Sequence, residues 1–215
     1  MKYKYILFDL DGTLSESAPG IRYSLEKTCE KFGVGGIDFS DYTKYVGPPL
    51  LNTFENLCKL DRKLWDDAFN AYVGFYENKG ILMNKAYDGI ELVLKELKDN
   101  GVKLAVCSSK LEVNAEKVVK IIGLDKYFDE ICGSNREGTR KDKKDLIPYA
   151  IEKLGGSADN AVMIGDTFFD AKGAEQCGVD FIACNYGYGD NSEMLKYNPA
   201  GIANKPSDIL DLLKQ

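Results

Sequence analysis

The sequence predicts an α/β fold in which a doubly wound parallel sheet carries an inserted helical segment. Three observations predict it. Short apolar runs alternate with helical periodicities along most of the chain, which is typical of a parallel sheet covered by helices. One long stretch in the first half of the chain shows helical periodicity only. The 215 residues, 44% of them hydrophobic, suffice for one such domain with an insert.

Five short apolar runs predict the strands. Each is rich in β-prone residues and lacks polar alternation, so both of its faces are expected to be buried. The runs are Tyr5 to Phe8, Val102 to Cys107, Phe128 to Cys132, Ala161 to Ile164 and Val179 to Cys184. Between strands, apolar residues recur at helical spacing and stop at glycine, as at Asn100-Gly101 and Gly155-Gly156. Strand and helix therefore alternate in a Rossmann-like order with right-handed crossovers.

The stretch from about Ser15 to Tyr87 interrupts this alternation, because it contains no convincing strand. Helical patterns fill it instead, over Ile21 to Phe32, Leu50 to Leu57 and Leu64 to Tyr76. We expect residues 1–15 and 88–215 to form the sheet core, and residues 16–87 to form a helical insert over the edge of the sheet. The aromatic residues of the helical insert are interpreted as its own core, with a ligand-stacking platform as the alternative.

The composition excludes several classes of protein. The chain has 28 Lys plus Arg against 34 Asp plus Glu, and a net charge of -6 repels nucleic acid. With no histidine, Ser/His and Cys/His catalytic pairs and His-based zinc sites are excluded. The six cysteines form no close pair and are interpreted as free thiols. Neither a signal peptide nor a long apolar span is evident, which predicts a cytoplasmic protein without a membrane partner.

Polar residues follow three of the predicted strands at the points where these strands end. Asp9 and Asp11 follow the first strand, Ser108 and Ser109 follow the second, and Asp166 follows the fourth, with Asp170 four residues later. The carboxyl ends of parallel strands line one crevice, so we expect these groups to converge. In this position Gly12 would let the backbone turn and present N–H groups to an anion.

Four carboxylates at one sheet edge repel one another unless a cation neutralises them. A hard divalent ion with oxygen ligands, above all Mg²⁺, is the natural partner. Thr13, Ser108, the glycine turn and a lysine are the groups that binding a phosphoryl group beside Mg²⁺ would require. The sequence therefore indicates a magnesium site that handles phosphate.

Several motifs in order resemble the haloacid dehalogenase superfamily of aspartyl-phosphate phosphohydrolases. They are DLDGT at 9–13, the serine after the second strand, a lysine before a later helix and GDTFFDAKGA from 165. DGTLSESAPGIRYSLE from 11, YVGPPL at 45–50, GTR before the lysines and YGYG at 186–189 resemble the phosphoglycolate phosphatase and 5′-nucleotidase-like branch. The resemblance spans nearly the whole chain and implies that the helical insert is a small α-helical cap.

The resemblance also implies the roles of the site residues. Asp9 would be the nucleophile, and Asp11 the acid that protonates the leaving group and later takes a proton from water. Asp9, Asp166, Asp170 and the backbone carbonyl of Asp11 would hold Mg²⁺. The substrate's phosphate would bind through the following residues: Gly12, Thr13, Ser108 and Ser109.

The choice of the catalytic lysine stays open between two positions in the run from Arg140 to Asp145. Lys143 matches the branch in which GTR precedes the lysine by three residues, and we favour it. Lys141 matches members with a Lys-Pro motif, but this sequence lacks that proline. Lys110 is expected at the surface, or else at the entrance of the site.

The implied activity is Mg²⁺-dependent hydrolysis of a small phosphorylated metabolite, phosphoglycolate-like or nucleotide-like. A phosphomutase of the β-phosphoglucomutase type is the alternative enzyme, and a receiver-like phospho-acceptor protein is the alternative that is not an enzyme. Arg22, Lys44 and Tyr45 are polar residues of the helical insert that could face the site. The oligomeric state, monomer or dimer, is left open.

Overall fold

The computed structural model describes residues 1–214, and strands are spread over most of this range. They are β1 (Tyr5–Phe8), β2 (Ser15–Glu16), β3 (Lys85–Ala86), β4 (Lys103–Leu111), β5 (Glu130–Ser134), β6 (Ala161–Gly165), β7 (Asp180–Cys184) and β8 (Gly201–Ala203). Six of them form one sheet in the order β5-β4-β1-β6-β7-β8, with every pairing parallel. Strand β1 lies between β4 and β6 near the middle of the sheet. The polar residues that follow β1 therefore lie near the middle of the edge formed by the carboxyl ends of the strands.

Helices connect the strands and cover both faces of the sheet. They are α1 (Ala18–Lys31), α2 (Leu50–Asn56), α3 (Trp65–Asn78), α4 (Ile90–Asp99), α5 (Glu112–Ile121), α6 (Lys143–Lys153), α7 (Phe168–Gln176), α8 (Asn191–Leu195) and α9 (Asp208–Lys214). In β1, Ile6 and Phe8 belong to the hydrophobic core under α4, α5 and α9, while Leu7 points to the core under α6 and α7. The predicted doubly wound α/β fold is confirmed.

Two predictions about strands were wrong. A sixth sheet strand, β8, was missed because it has only three residues, and its Ile202 is 42% exposed. The stretch predicted to lack strands contains β2 and β3, which pair antiparallel with Ser15 opposite Ala86. Each has two residues, too few for a periodic signal. Together they join the two chain segments that connect the helical insert to the sheet.

The helical insert packs around the contact between α1 and α3, as the helical periodicity predicts. Its junction with the sheet is fixed by the buried Asn84. The hydroxyl of Ser15 donates to Oδ1 of Asn84 at 2.9 Å. The Nδ2 of Asn84 donates to the hydroxyl of Tyr76 at 3.2 Å and to the carbonyl of Ile81 at 2.8 Å. One amide side chain therefore connects both linkers to helix α3.

All six cysteines carry free thiols, as expected, and five of them are buried. Among residues 1–214, no helix combines the length and the apolar character needed to cross a membrane.

Candidate active site

The candidate site lies at the carboxyl ends of β1, β4 and β6, where the sequence predicts convergence. Asp9 follows β1, and its backbone N–H donates to the carbonyl of Ile164 in β6 at 2.8 Å. Asp166 follows β6, and Ser108 lies in the last part of β4. The two central strands and their neighbour therefore bring residues from distant parts of the sequence to one edge.

Three of the four predicted acids form a compact cluster. Asp9, Asp166 and Asp170 each offer a carboxylate oxygen, and these oxygens all lie within 4.8 Å of one another. Asp166 and Asp170 are fully buried, and Asp9 is 7% exposed. Such a group of hard oxygen atoms suits a divalent cation such as Mg²⁺. The side chain of Asp11 lies apart from this cluster and pairs with Lys110 instead.

Lys143 is the lysine that the structure places in the cluster. Its Nζ lies 2.7 Å from Oδ1 of Asp9 and 2.6 Å from Oδ1 of Asp170, and it donates to the carbonyl of Cys107 at 2.6 Å. The residue is 5% exposed, while the neighbouring Lys141 and Lys144 are exposed. Lys143, the first residue of α6, therefore points into the acidic cluster. The side chains of Lys141 and Lys144 face solvent.

Burial shifts the ionisation of the cluster. It raises the pKa of Asp9 to about 7, with Lys143 opposing the rise and Asp170 adding to it. Burial also raises the pKa of Asp166 well above its ordinary value, and the charge of Asp9 adds to this effect. Burial by itself would lower the pKa of Lys143, but the carboxylates of Asp170 and Asp9 outweigh it and raise the value. Burial and mutual repulsion therefore disfavour the ionised forms of Asp9 and Asp166, and the single ammonium of Lys143 does not offset this.

Asp166 is held by two donors from different loops. The hydroxyl of Thr13 donates to its Oδ1 at 3.1 Å, and the backbone N–H of Tyr188 donates to its Oδ2 at 2.8 Å. Thr13 was predicted to bind phosphate, but in the structure its hydroxyl donates a hydrogen bond to the carboxylate of Asp166. The sequence alone gives Tyr188 no role in the site, although the YGYG motif that contains it marks this loop.

Asp170 is oriented by the start of its own helix. Its Oδ2 accepts from the N–H of Thr167 at 3.1 Å and from the hydroxyl of Thr167 at 2.7 Å, which completes a capping box. Its Oδ1 is then free to face Lys143. The same carboxylate therefore caps α7 and belongs to the acidic cluster.

Gly12 makes the turn that follows the first acids, but it does not offer a free N–H there. Its φ of 90° is favourable only for glycine, and a Cβ would overlap the carboxylate of Asp166. Its N–H donates to the carbonyl of Ser15 at 2.9 Å. The N–H of Gly12 itself is therefore not free for an anion, and the glycine is needed for close approach to Asp166.

The two serines of β4 point in opposite directions. Ser108 is 2% exposed, and its Oγ accepts from the N–H of Lys110 at 3.2 Å. Because Oγ serves as the acceptor there, its own O–H remains able to donate. Ser109 is exposed, as strand alternation requires. The structure therefore brings Ser108 to the site and leaves Ser109 at the surface.

Of the two positions expected for Lys110, the surface is wrong, because the side chain lies between Asp11 and the helical insert. Its side chain is 10% exposed, and its Nζ lies 2.9 Å from Oδ2 of Asp11. The ammonium also lies 4.5 Å from the centre of the Tyr76 ring in α3. Burial by itself would lower the pKa of Lys110, but the charge of Asp11 outweighs it and raises the value. No sequence signal identifies this contact, since it depends on how α3 packs.

A loop of the helical insert contacts the loop that follows β6, next to the acidic cluster. A Cβ on Gly47 would lie 2.8 Å from Cγ2 of Thr167, so the YVGPPL segment is in close contact with the loop after β6. Beside it, the rings of Tyr42 and Tyr188 lie 5.5 Å apart. Tyr45 is buried and donates to the carbonyl of Phe39.

Arg22 and Lys44 were the other two residues of the helical insert considered as possible neighbours of the site. Both are exposed, and they pair with Glu26 and Asp41. The structure therefore does not bring them into the buried cluster.

The fold and the site together define an α/β enzyme with an acidic centre, and comparison with known proteins gives its family. Residues 6–184 match the model of the haloacid dehalogenase-like hydrolases. The chain belongs to this family, which confirms the family predicted from the motifs.

Three of the similar proteins carry the following names. A 5′-nucleotidase of Pseudomonas aeruginosa is 34% identical over 93% of this chain and 90% of its own. A phosphoglycolate phosphatase of Aquifex aeolicus is 31% identical over 98% of this chain and 96% of its own. A crystal structure of a predicted phosphatase from Clostridium acetobutylicum has a TM-score of 0.92 and 37% identity, with 99% of both chains covered. The prediction of a phosphatase agrees with these names.

Proposed function

We propose that this chain is a Mg²⁺-dependent phosphomonoester phosphatase that works through a phosphorylated Asp9. The observation that carries the proposal is the buried cluster of Asp9, Asp166 and Asp170 with Lys143 at the carboxyl ends of the strands. The family and the names of the relatives agree with it.

The charge of the cluster supports a divalent cation. With all three acids ionised, the cluster and the single ammonium of Lys143 would carry two formal negative charges, which a divalent cation would neutralise. Asp9, Asp166, Asp170 and the backbone carbonyl of Asp11 would hold Mg²⁺. When bound, Mg²⁺ would supply positive charge that keeps these carboxylates ionised and draws electron density from the phosphoryl group.

The reaction has two steps. In the first, a carboxylate oxygen of Asp9 attacks phosphorus, the bond from phosphorus to the substrate oxygen breaks, and Asp11, which enters the cycle as the protonated acid, gives that oxygen its proton. In the second, water attacks the phosphorus of the aspartyl-phosphate, Asp11 takes a proton from the water, and Asp9 is released with inorganic phosphate. Asp11 ends in its starting state, so the cycle is balanced.

Lys143 and Ser108 support the transferred group. The ammonium of Lys143 already touches Asp9 and would offset the negative charge that builds up on the phosphoryl oxygens. The hydroxyl of Ser108, buried at the end of β4, would donate to one of these oxygens. Thr13 would act indirectly, because its hydroxyl donates to Asp166 and fixes the orientation of that carboxylate.

The substrate we propose is a small phosphorylated metabolite of the phosphoglycolate or nucleotide type. Its support is the names of two relatives and the contact that the helical insert makes with the loop after β6, beside the site. A covered site favours small leaving groups and excludes bulk water from the phosphorylated intermediate. The helical insert would open about the linkers near Leu14 to Pro19 and Ala86 to Gly89 to admit substrate.

Phosphate release from a panel of phosphomonoesters with Mg²⁺ tests the proposal. The panel should include phosphoglycolate, nucleoside 5′-monophosphates and β-glucose 1-phosphate. Asp9→Asn should abolish turnover, and a quenched reaction of the wild type should show one phosphoryl group on the peptide that contains Asp9. Full turnover in Asp9→Asn, with deamidation excluded by mass, would refute the intermediate. Conversion of β-glucose 1-phosphate to another sugar phosphate without phosphate release would instead identify a mutase.

A further inference from the structure

Lys110 occupies an unusual position between the sheet core and the helical insert. It belongs to β4, yet its ammonium lies 2.9 Å from Oδ2 of Asp11 and 4.5 Å from the ring centre of Tyr76 in α3. Tyr72 stacks on Tyr76 with 6.0 Å between the ring centres and completes an aromatic surface under the lysine. A cation is thus enclosed between one carboxylate and one ring from the opposite side.

The ion pair with Lys110 uses one of the two carboxylate oxygens of Asp11 and leaves the other without a hydrogen bond from the described part of the chain. Oδ2 is paired with Lys110, while Oδ1 is buried and has no hydrogen-bond partner among residues 1–214. A buried carboxylate oxygen without a partner is unfavourable, and a catalytic role is one reason for which proteins retain such a group. The lysine therefore fixes the direction in which the free oxygen of Asp11 points.

The same contact depends on the position of the helical insert. Tyr76 is tied to the linkers, because its hydroxyl accepts from Nδ2 of Asn84, and Asn84 in turn accepts from Ser15. Movement of α3 away from the sheet would remove the ring that covers Lys110 and expose the ammonium to water. Asp11 would then lose its fixed partner, since a solvated lysine side chain is mobile.

We propose that Lys110 is a positioning residue that orients Asp11 for proton transfer to the leaving group, and that it does so only while Tyr76 covers it. The inference rests on the phosphatase function proposed above and assigns a role to a residue outside the motifs. It makes closure of the helical insert a condition for the acid step. Among residues 1–214, Lys110 forms its ion pair with Asp11 and none with Asp9, Asp166 or Asp170.

A leaving-group comparison separates this role from a purely structural one. Nitrophenolate leaves a phosphate ester without a proton, whereas an alkoxide must be protonated as the bond breaks. The parameter kcat/KM covers the steps up to alcohol release, and these include the proton transfer from Asp11. A misplaced acid therefore lowers kcat/KM for alkyl phosphates selectively, while damage to the metal cluster lowers it for both substrates.

The experiment measures kcat/KM for 4-nitrophenyl phosphate and for the alkyl phosphate that the wild type hydrolyses fastest. Lys110→Met should lower the alkyl value about 100-fold and change the nitrophenyl value only a few-fold. Lys110→Arg should restore most of the alkyl activity, because it keeps the charge near Asp11. Tyr76→Leu should give the same selective loss. Lys117→Met is the matched control, since Lys117 also joins the sheet core to α3, through Glu77 at the surface.

Asp11→Asn provides the reference and separates the two possible failures. A wild type that hydrolyses no ester, or an Asp11→Asn variant without the selective loss, would refute the proposed function. An active wild type with a selective Asp11→Asn variant, but equal losses for both esters in Lys110→Met, would overturn the role of Lys110. If Lys110→Met does not fold, Tyr76→Leu decides, and unchanged selectivity there would overturn the inference.

Discussion

The Nζ of Lys143 lies 2.7 Å from Oδ1 of Asp9, although the two residues are 134 positions apart in the sequence. The same ammonium contacts Asp170 and the carbonyl of Cys107. One side chain therefore joins the end of β1 and the middle of β4 to the first turn of α7. No other residue of the run from Arg140 to Asp145 shares these contacts among the described residues.

Removing Lys143 should abolish most of the activity. Lys143→Ala takes the only ammonium of the described residues away from the acidic cluster, so we expect turnover to fall about 10² to 10³-fold, as for other donors that stabilise transition-state charge. Lys141→Ala and Lys144→Ala are the controls, because both side chains are exposed. Steady-state turnover of the three purified variants checks this. A collapse in Lys141→Ala with Lys143→Ala unaffected would mean that the wrong lysine was chosen.

Asp11→Asn should separate metal binding from proton transfer. The Asp11 side chain lies outside the cluster of Asp9, Asp166 and Asp170, so the variant should keep its affinity for Mg²⁺. Turnover of an alkyl phosphate should fall about 10² to 10⁴-fold, because an amide cannot protonate the leaving group. Mg²⁺ titration by calorimetry and a turnover assay on the same preparation check both parts. Loss of Mg²⁺ affinity equal to that in Asp166→Asn would contradict the assigned role.

The sheet could be predicted from sequence because its strands are buried on both faces. Runs such as Tyr5 to Phe8 and Ala161 to Ile164 are apolar throughout, and burial on both sides demands this. The edge strand β8 has little burial and only three residues, so it leaves no such pattern. Strands β2 and β3 exist because the two linkers meet, which is a long-range event that local sequence does not encode.

In the candidate site, too, the sequence predicts the position of some residues and not of others. Asp9, Asp166 and Ser108 could be placed because each follows or ends a predicted strand, and strand ends converge in a parallel sheet. Lys110 could not be placed, because its burial depends on Tyr76 from a different part of the chain. Thr13 was identified as a site residue, but its bond to Asp166 depends on the register between β1 and β6.

Gly173→Ala should disturb the position of Lys143. Gly173 lies inside α7, and a Cβ there would overlap the Cβ of Lys143 at the start of α6. Overpacking of this kind costs about 1–3 kcal/mol, and it should lower turnover because the ammonium shifts from Asp9. Urea unfolding and turnover check the two effects. Gly74→Ala is the matched control: no atom lies within 4 Å of the added Cβ in α3, so it should stabilise the protein by about 0.5–1 kcal/mol.

Asp129 should contribute stability that depends on pH. Burial alone would raise the pKa of Asp129, but bonds from Lys98, the N–H of Leu104 and Lys103 lower it below the ordinary value of 3.8. A lowered pKa in the folded state stabilises the protein above the unfolded value, and this contribution is lost as pH falls through the folded value. Asp129→Asn should therefore cost about 1–2 kcal/mol at pH 7 and progressively less below about pH 4.

Urea unfolding of the wild type and Asp129→Asn at several pH values measures the difference. Asp88→Asn serves as the control, since the Asp88 side chain is 93% exposed. A wild-type advantage over Asp129→Asn that stays constant from pH 7 to pH 3.5 would show that the carboxylate charge is not its source.

Mg²⁺ should stabilise the folded chain through the acidic cluster, a readout that needs no substrate. The oxygens of Asp9, Asp166 and Asp170 lie within 4.8 Å of one another and carry more negative charge than Lys143 balances. At a concentration 100 times its dissociation constant, a ligand specific for the folded state adds about 2.7 kcal/mol, which should raise Tm by about 5 to 10 °C in a chain of this size.

Asp170→Asn should lose most of this Mg²⁺-induced rise, because it removes one of the charged oxygens while the amide can still accept from Thr167. For each protein, the Tm without Mg²⁺ is subtracted from the Tm with Mg²⁺, so a change in the basal Tm does not affect the result. Asp88→Asn, far more exposed, should keep the full rise. Thermal unfolding at increasing Mg²⁺ measures all three proteins. An equal rise in Asp170→Asn and the wild type would show that Mg²⁺ binds elsewhere.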